Sequence, residues 1–168
     1  IDSEGWFHTG DIGTWVEKHG NKFLKITDRK KELFKTSGGK YVAPQVIEEK
    51  MKESRFIEQM MVVGGDDKKF ISALIVPSFL NLHDWAKENN VTVASNEQIV
   101  TNEKIKALIN AEVAKYNKDF GSWEQVKKFH LLNSEWTVEA GELTPTMKVK
   151  RKVIYERYST HVNDLYKD

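Results

Sequence analysis

Three short stretches hold the residues whose types and spacing could do chemistry. The first is Gly5-Trp6-Phe7-His8-Thr9-Gly10-Asp11. The second is Thr27-Asp28-Arg29-Lys30-Lys31-Glu32-Leu33-Phe34-Lys35-Thr36-Ser37-Gly38-Gly39-Lys40. The third is Glu142-Leu143-Thr144-Pro145-Thr146-Met147-Lys148-Val149-Lys150-Arg151. Asp11 offers two carboxylate oxygens that can accept hydrogen bonds from neighbouring hydroxyls, and such charge-assisted bonds are the stronger kind. Arg29 offers five donors and stays charged at any working pH. The paired Gly38 and Gly39 leave room for a close backbone approach. An ammonium such as Lys148, taken out of water, stabilises negative oxygens as they gather in a transition state. Each stretch also has a plainer reading. Asp11 suits an ordinary turn, Lys30 and Lys31 suit any exposed loop, and the glycines suit a tight turn. The basic run from Lys148 to Lys152 suits a solvated helix entrance.

The elements that must carry these residues are short and mixed. Gly13–Glu17 and Lys22–Ile26 are strand-like runs around Lys18-His19-Gly20-Asn21, where Gly and Asn can take positive φ. Leu33-Phe34-Lys35 suits a further strand. Pro44 suits the first turn of a helix that continues to Met51. Met60–Val63 and Phe70–Val76 flank a turn at Gly64-Gly65-Asp66-Asp67 and read as neighbouring buried strands. Leu82, Trp85 and Ala86 suggest a short helix, with a surface loop from Glu88 to Asn96. Ile105, Leu108, Ile109, Val113 and Tyr116 fall at helical spacing, as do Ile154, Tyr158, Val162 and Leu165. Lys127–Leu132 reads as a late strand. The expected class is α+β: a small sheet of about three strands flanked by helices, after a leading hairpin.

Composition narrows the function classes. Of the 168 residues, 39% are hydrophobic and 30% charged, which suits one globular domain and is too apolar for a disordered chain. Basic and acidic residues number 26 and 25, a net charge of +1, so nothing points to nucleic acid or an anionic membrane. Cysteine is absent, which removes disulfides and thiolate metal sites and makes a reducing cytoplasm the natural expectation. The five histidines lack metal-ligand spacing and are expected in packing or surface roles, and the five tryptophans in the core. No apolar run approaches the roughly 20 residues that span a bilayer. The opening lacks both Met and a signal-peptide pattern, so the chain is expected to belong to something longer.

Taken in order, the three stretches resemble the carboxy-terminal motifs of the adenylate-forming (AMP-binding) superfamily. That group includes acyl-CoA synthetases, peptide-synthetase adenylation domains and beetle luciferases. The resemblance is specific up to Lys40 and in the third stretch, and weak between Ser78 and Glu139. It implies a ligase working in two half-reactions. A carboxylate attacks ATP to give an acyl-adenylate and pyrophosphate; a thiol, commonly that of coenzyme A, then displaces AMP. A carboxy-terminal lid turns between the two steps. By resemblance, Asp11 and Arg29 grip the ribose of ATP or AMP, Lys31 is the hinge, and Lys35, Gly38 and Gly39 form the face used with CoA. Lys148 is the adenylation lysine. The usual Gly before that lysine is Met147 here, and Leu143-Thr144-Pro145-Thr146-Met147-Lys148 resembles the long-chain fatty acyl-CoA synthetase branch. Lys150, two positions on, is the rival, since both would point to one side of an extended segment.

The resemblance further implies that residues 1–28 end a large amino-terminal domain and that residues 29–168 form the lid. ATP, CoA and Mg2+ would belong to the whole enzyme, bound mainly by the amino-terminal domain. No residue here suggests itself as a metal ligand. The chain alone is expected to be inactive, and the setting cytoplasmic, with any membrane association made through the parent. Two other readings stay open: an adenylating enzyme for another carboxylate, and a non-catalytic binding domain on the same scaffold.

Overall fold

The computed structural model describes residues 1–30 and 32–167, and only the backbone of Asp28 and Arg29. It opens with a hairpin of β1 (Asp11–Lys18) and β2 (Asn21–Arg29). The turn takes positive φ at His19 (52°) and Gly20 (75°), a primed geometry that matches strand twist. Asn21, expected to help with positive φ, lies in the strand instead. A second hairpin pairs β3 (Phe34–Lys35) with β4 (Tyr41–Val42). Helix α1 (Pro44–Met51) then starts on its proline, as Pro's fixed φ favours.

The central sheet has the order β5-β6-β7, made of β5 (Ile57–Val63), β6 (Ile71–Pro77) and β7 (Val126–Leu131). β5 and β6 are antiparallel and joined by a short connection, whereas β7 is parallel to β6. A parallel neighbour needs a crossover. Here it consists of α2 (Phe79–Glu88), α3 (Asn96–Thr101) and α4 (Glu103–Asn117). The chain closes with α5 (Arg151–Arg157) and α6 (Ser159–Asp164). The expected three-stranded sheet with flanking helices is what forms. The α3 helix was not foreseen. The final stripe is not one helix: Tyr158 (φ −104°, ψ 22°) breaks it in two, while Ile154, Val162 and Leu165 stay buried.

β6 is buried along its whole length, so its apolar run carries no alternation. Ile47 and Met51 of α1 share one core with Ile105, Ile109 and Val113 of α4 and with the sheet. Trp136 is in that core, but Trp6 and Trp15 are each 69% exposed and Trp123 is 43% exposed. The tryptophans are therefore not uniformly core residues. Phe23, Leu24 and Ile26 of the first hairpin are exposed too, which leaves that hairpin with much uncovered apolar surface. No helix among the described residues is long and apolar enough to cross a membrane.

Gly64, just past β5, fixes how the β3 segment meets the sheet. A Cβ there would lie 2.5 Å from Phe34 Cε2 and 2.9 Å from Phe34 Cζ. Gly64→Ala is expected to push the Phe34 ring off the sheet and cost about 1–3 kcal/mol, the usual range for overpacking. A lower urea midpoint with unchanged slope would register it; an unmoved midpoint would show that Phe34 yields freely.

Candidate functional site

Asp11 is the first residue of β1, and its Cα partner in the ladder is Arg29, the last residue of β2. The hairpin register thus brings the two ribose candidates to one end of one ladder, although the Arg29 side chain lies outside the described residues. So does Lys31. The Gly10 carbonyl accepts a hydrogen bond from the Lys30 N–H at 2.8 Å, which continues the pairing past the strand end. Gly10 takes φ +78°, and the Asp11 N–H donates to Thr9 Oγ1 at 3.1 Å. These bonds fix the backbone that presents the carboxylate.

Lys148 sits on a tight hairpin. Leu143 and Val149 form an antiparallel bridge, and the Thr144 N–H donates to the Lys148 carbonyl at 2.8 Å. The Met147 N–H donates to the Thr144 carbonyl at 2.8 Å, and the Lys148 N–H to Thr144 Oγ1 at 3.0 Å. Met147 closes the turn at φ +61°, a left-handed conformation that a non-glycine residue adopts with strain. The turn ends at Met147, and Val149, in the bridge, separates Lys148 from Lys150. Lys150 is the N-cap position of α5, and its N–H donates to the Glu142 carbonyl at 2.8 Å.

A cavity of about 600 Å³ collects Asp11, Ile26, Glu48, Lys148 and Arg151 in its lining. Asp11 and Lys148, 137 positions apart in sequence, therefore face one space. Lys150 does not line it. Neither do Lys35, Gly38 and Gly39, which lie on the second hairpin. There the Lys35 ammonium stands 4.7 Å from the centre of the Tyr41 ring, and the Gly39 N–H donates to the Thr36 carbonyl at 2.8 Å. Gly39 takes φ +73°, so the turn needs a residue at ease in the left-handed region. Gly38 takes no such angle, and a Cβ on it would meet only Thr36 Oγ1, at 3.8 Å.

One part of the cavity wall escaped the sequence reading. Arg151 binds both oxygens of Glu48, at 2.6 and 2.7 Å, and donates from Nη1 to the Val62 carbonyl at 3.2 Å and from Nε to Glu32 at 3.2 Å. Gln45 Nε2 donates to the same Glu32 oxygen at 2.6 Å, and the Val62 N–H donates to Glu48 at 2.7 Å. Burial pushes the Glu48 carboxyl up to about 7, although Arg151 and the Val62 N–H pull the other way. A signal was available. Pro44, Ile47, Glu48 and Met51 form the buried stripe of α1, and a glutamate in an apolar stripe implies a partner.

Two of the histidines take a packing role. His130 and His161 stack with ring centroids 4.1 Å apart, in a separate cleft beside α4. Burial, aided by His161, pushes His130 below its usual range. Among the described residues, no group of three or more His, Cys, Asp or Glu side chains could hold a metal ion.

The model of the AMP-binding enzyme C-terminal domain matches residues 32–168. The long-chain-fatty-acid–CoA ligase FadD15 of Mycobacterium tuberculosis is 42% identical over 165 residues, covering 98% of this chain and 27% of the relative. Human long-chain-fatty-acid–CoA ligase 1 is 37% identical over 168 residues, covering 99% of this chain and 24% of the relative. The chain spans about a quarter of the length of these curated relatives. Among solved structures, the adenylation domain of a carboxylate reductase from Mycobacterium chelonae superposes with a TM-score of 0.79 at 26% identity, over 100% of this chain and 24% of that one. With a family model matched over most of its length, the chain belongs to the C-terminal domains of AMP-binding enzymes.

Proposed function

We propose that this chain is the lid of an ATP-dependent ligase that joins a long-chain fatty acid to coenzyme A. Residues 1–28 would end its large amino-terminal domain, and residues 29–168 would form the lid, with Lys31 as the hinge. The observation that carries the reading is the shared cavity of Asp11 and Lys148, one from each end of the chain. Glu32, Glu49 and Lys52 line it as well, and within it Asp11 and Lys148 are the pair suited to a nucleotide. A carboxylate can accept from both ribose hydroxyls, and an ammonium can meet the α-phosphate. Arg29, opposite Asp11 in the ladder, supports the ribose grip. The exposed Trp15, Phe23, Leu24 and Ile26 support docking of the first hairpin against further protein.

In the first half-reaction, a carboxylate oxygen of the fatty acid bonds to the α-phosphorus of ATP and pyrophosphate leaves. Negative oxygens crowd together at that moment, and the Lys148 ammonium stabilises them most there. In the second, the CoA sulfur bonds to the acyl carbon and AMP leaves. Lys35, Gly38 and Gly39 would serve this step. Their separation from the Lys148 cavity supports a lid that turns to offer each face in sequence. Mg2+ would neutralise phosphate charge in the whole enzyme. The residues described here offer it no carboxylate cluster, so no step is assigned to it.

The test is a substrate panel with the full-length protein: ATP, CoA and carboxylic acids from short-chain to long-chain and aryl. Acyl-CoA formation is expected to be strongest with long-chain fatty acids, with AMP and pyrophosphate as coproducts. The isolated 168-residue chain should form none. Preference for an aryl or short-chain acid would sink the substrate class, and the absence of any acyl-adenylate would sink the ligase reading.

A further inference from the structure

We infer that Arg151 and Glu48 are positioning residues that hold the Lys148 hairpin at a fixed place over the nucleotide cavity. The inference rests on Lys148 as the adenylation lysine. Pro145, Thr146, Met147 and Lys148 are all exposed, so the tip has little packing of its own. Its placement must come from its two feet, Glu142 and Arg151.

The Glu142 foot is tied down by a buried carboxylate, only 2% exposed. It accepts from the Thr137 N–H at 3.1 Å, the Tyr158 hydroxyl at 3.1 Å and Arg157 Nη1 at 2.7 Å. The Arg151 foot is tied to three separate parts of the fold. Both Glu48 oxygens anchor it to α1, the Val62 carbonyl to β5, and Glu32 to the segment just before β3. A guanidinium engaged in this way resists both translation and rotation, because its donors are fixed in one plane. Arg151 lines the cavity, yet four of its five N–H donors go to protein acceptors, so its main part is to position Lys148 rather than to bind phosphate. Lysine could not replace it fully, since an ammonium is a point charge without the fork.

The geometry predicts a split between the half-reactions. A small displacement of a catalytic group can cost about 10²-fold in rate. In the full-length protein, Arg151→Lys and Glu48→Gln are expected to lower kcat for pyrophosphate release by about 10- to 100-fold. Thioester formation from supplied acyl-adenylate should stay near the parental rate. The double variant Glu48→Met with Arg151→Met guards against simple unfolding, because apolar groups of similar volume often replace a buried ion pair without loss of stability. It should still unfold cooperatively, with a melting temperature lowered only as far as the Val62 N–H left without its Glu48 acceptor requires, and still lose adenylation. If both half-reactions fall together, or the double variant adenylates normally, the positioning role is overturned. Lys148→Ala, measured alongside, separates the two failures. Loss of adenylation in Lys148→Ala but not in Arg151→Lys overturns the positioning role alone. Retention in Lys148→Ala overturns the catalytic reading and this inference with it.

Discussion

Lys148→Ala in the full-length protein is expected to lower acyl-adenylate formation by about 10²–10³-fold, the usual cost of one electrostatic contact made in the transition state. Thioester formation from preformed acyl-adenylate should be largely spared if, as proposed, the face with Lys35, Gly38 and Gly39 serves that step. Lys150→Ala is expected to change little. Its residue is the N-cap position of α5, outside the cavity that holds Asp11 and Lys148. The two lysines are close in sequence but held differently. The left-handed Met147 and the Thr144 bonds present Lys148 at the hairpin end, whereas Lys150 already begins the next element. Single-turnover assays of each half-reaction would separate the roles. Normal adenylation by Lys148→Ala would favour a non-catalytic scaffold, and loss in Lys150→Ala instead would reverse the assignment.

The parts of the fold that were legible are those where one physical signal dominates. β5 and β6 are apolar runs bounded by turn residues, and α4 carries a long single stripe. α3 was not legible because it has six residues and buries only Ile99; its Ser95 cap, which accepts from the Gln98 N–H, is its clearest mark. The break at Tyr158 was hidden because its neighbours keep helical spacing across it. Within the site, Asp11 and Lys148 could be named from motifs, but their meeting in one cavity depends on tertiary packing that no local pattern encodes. The Glu48–Arg151 pair joins positions 103 apart. Its sole local trace was a charged residue in an apolar stripe. The exposed tryptophans misled for a related reason: composition cannot say which large apolar groups have a partner within the same chain.

Arg151→Ala should be among the most destabilising single substitutions in the chain, and its cost should depend on pH. Removing Arg151 leaves the Glu48 carboxylate buried, with the Val62 N–H as its remaining hydrogen-bond partner there. Breaking a buried pair in this way typically costs about 3–5 kcal/mol. The pH dependence follows from Glu48. Burial raises its folded pKa from 4.5 to about 7, so between those values the folded state holds a proton that the unfolded state has lost. Stability from this group is greatest below pH 4.5 and falls as pH rises towards 7, by about 3 kcal/mol at about 1.4 kcal/mol per pKa unit. Arg151 limits that fall, since its charge and hydrogen bonds both favour the ionised form. Without it the folded pKa rises further. Arg151→Ala should therefore cost most at pH 8 and much less near pH 5, where a neutral Glu48 is tolerated. Glu48→Gln should flatten the wild-type slope, and added to Arg151→Ala it should recover stability at pH 8. Urea titrations of the four proteins at both pH values would read the effect as shifts in midpoint. An equal cost of Arg151→Ala at pH 5 and pH 8 would mean that lost packing, not an orphaned charge, is what the fold feels.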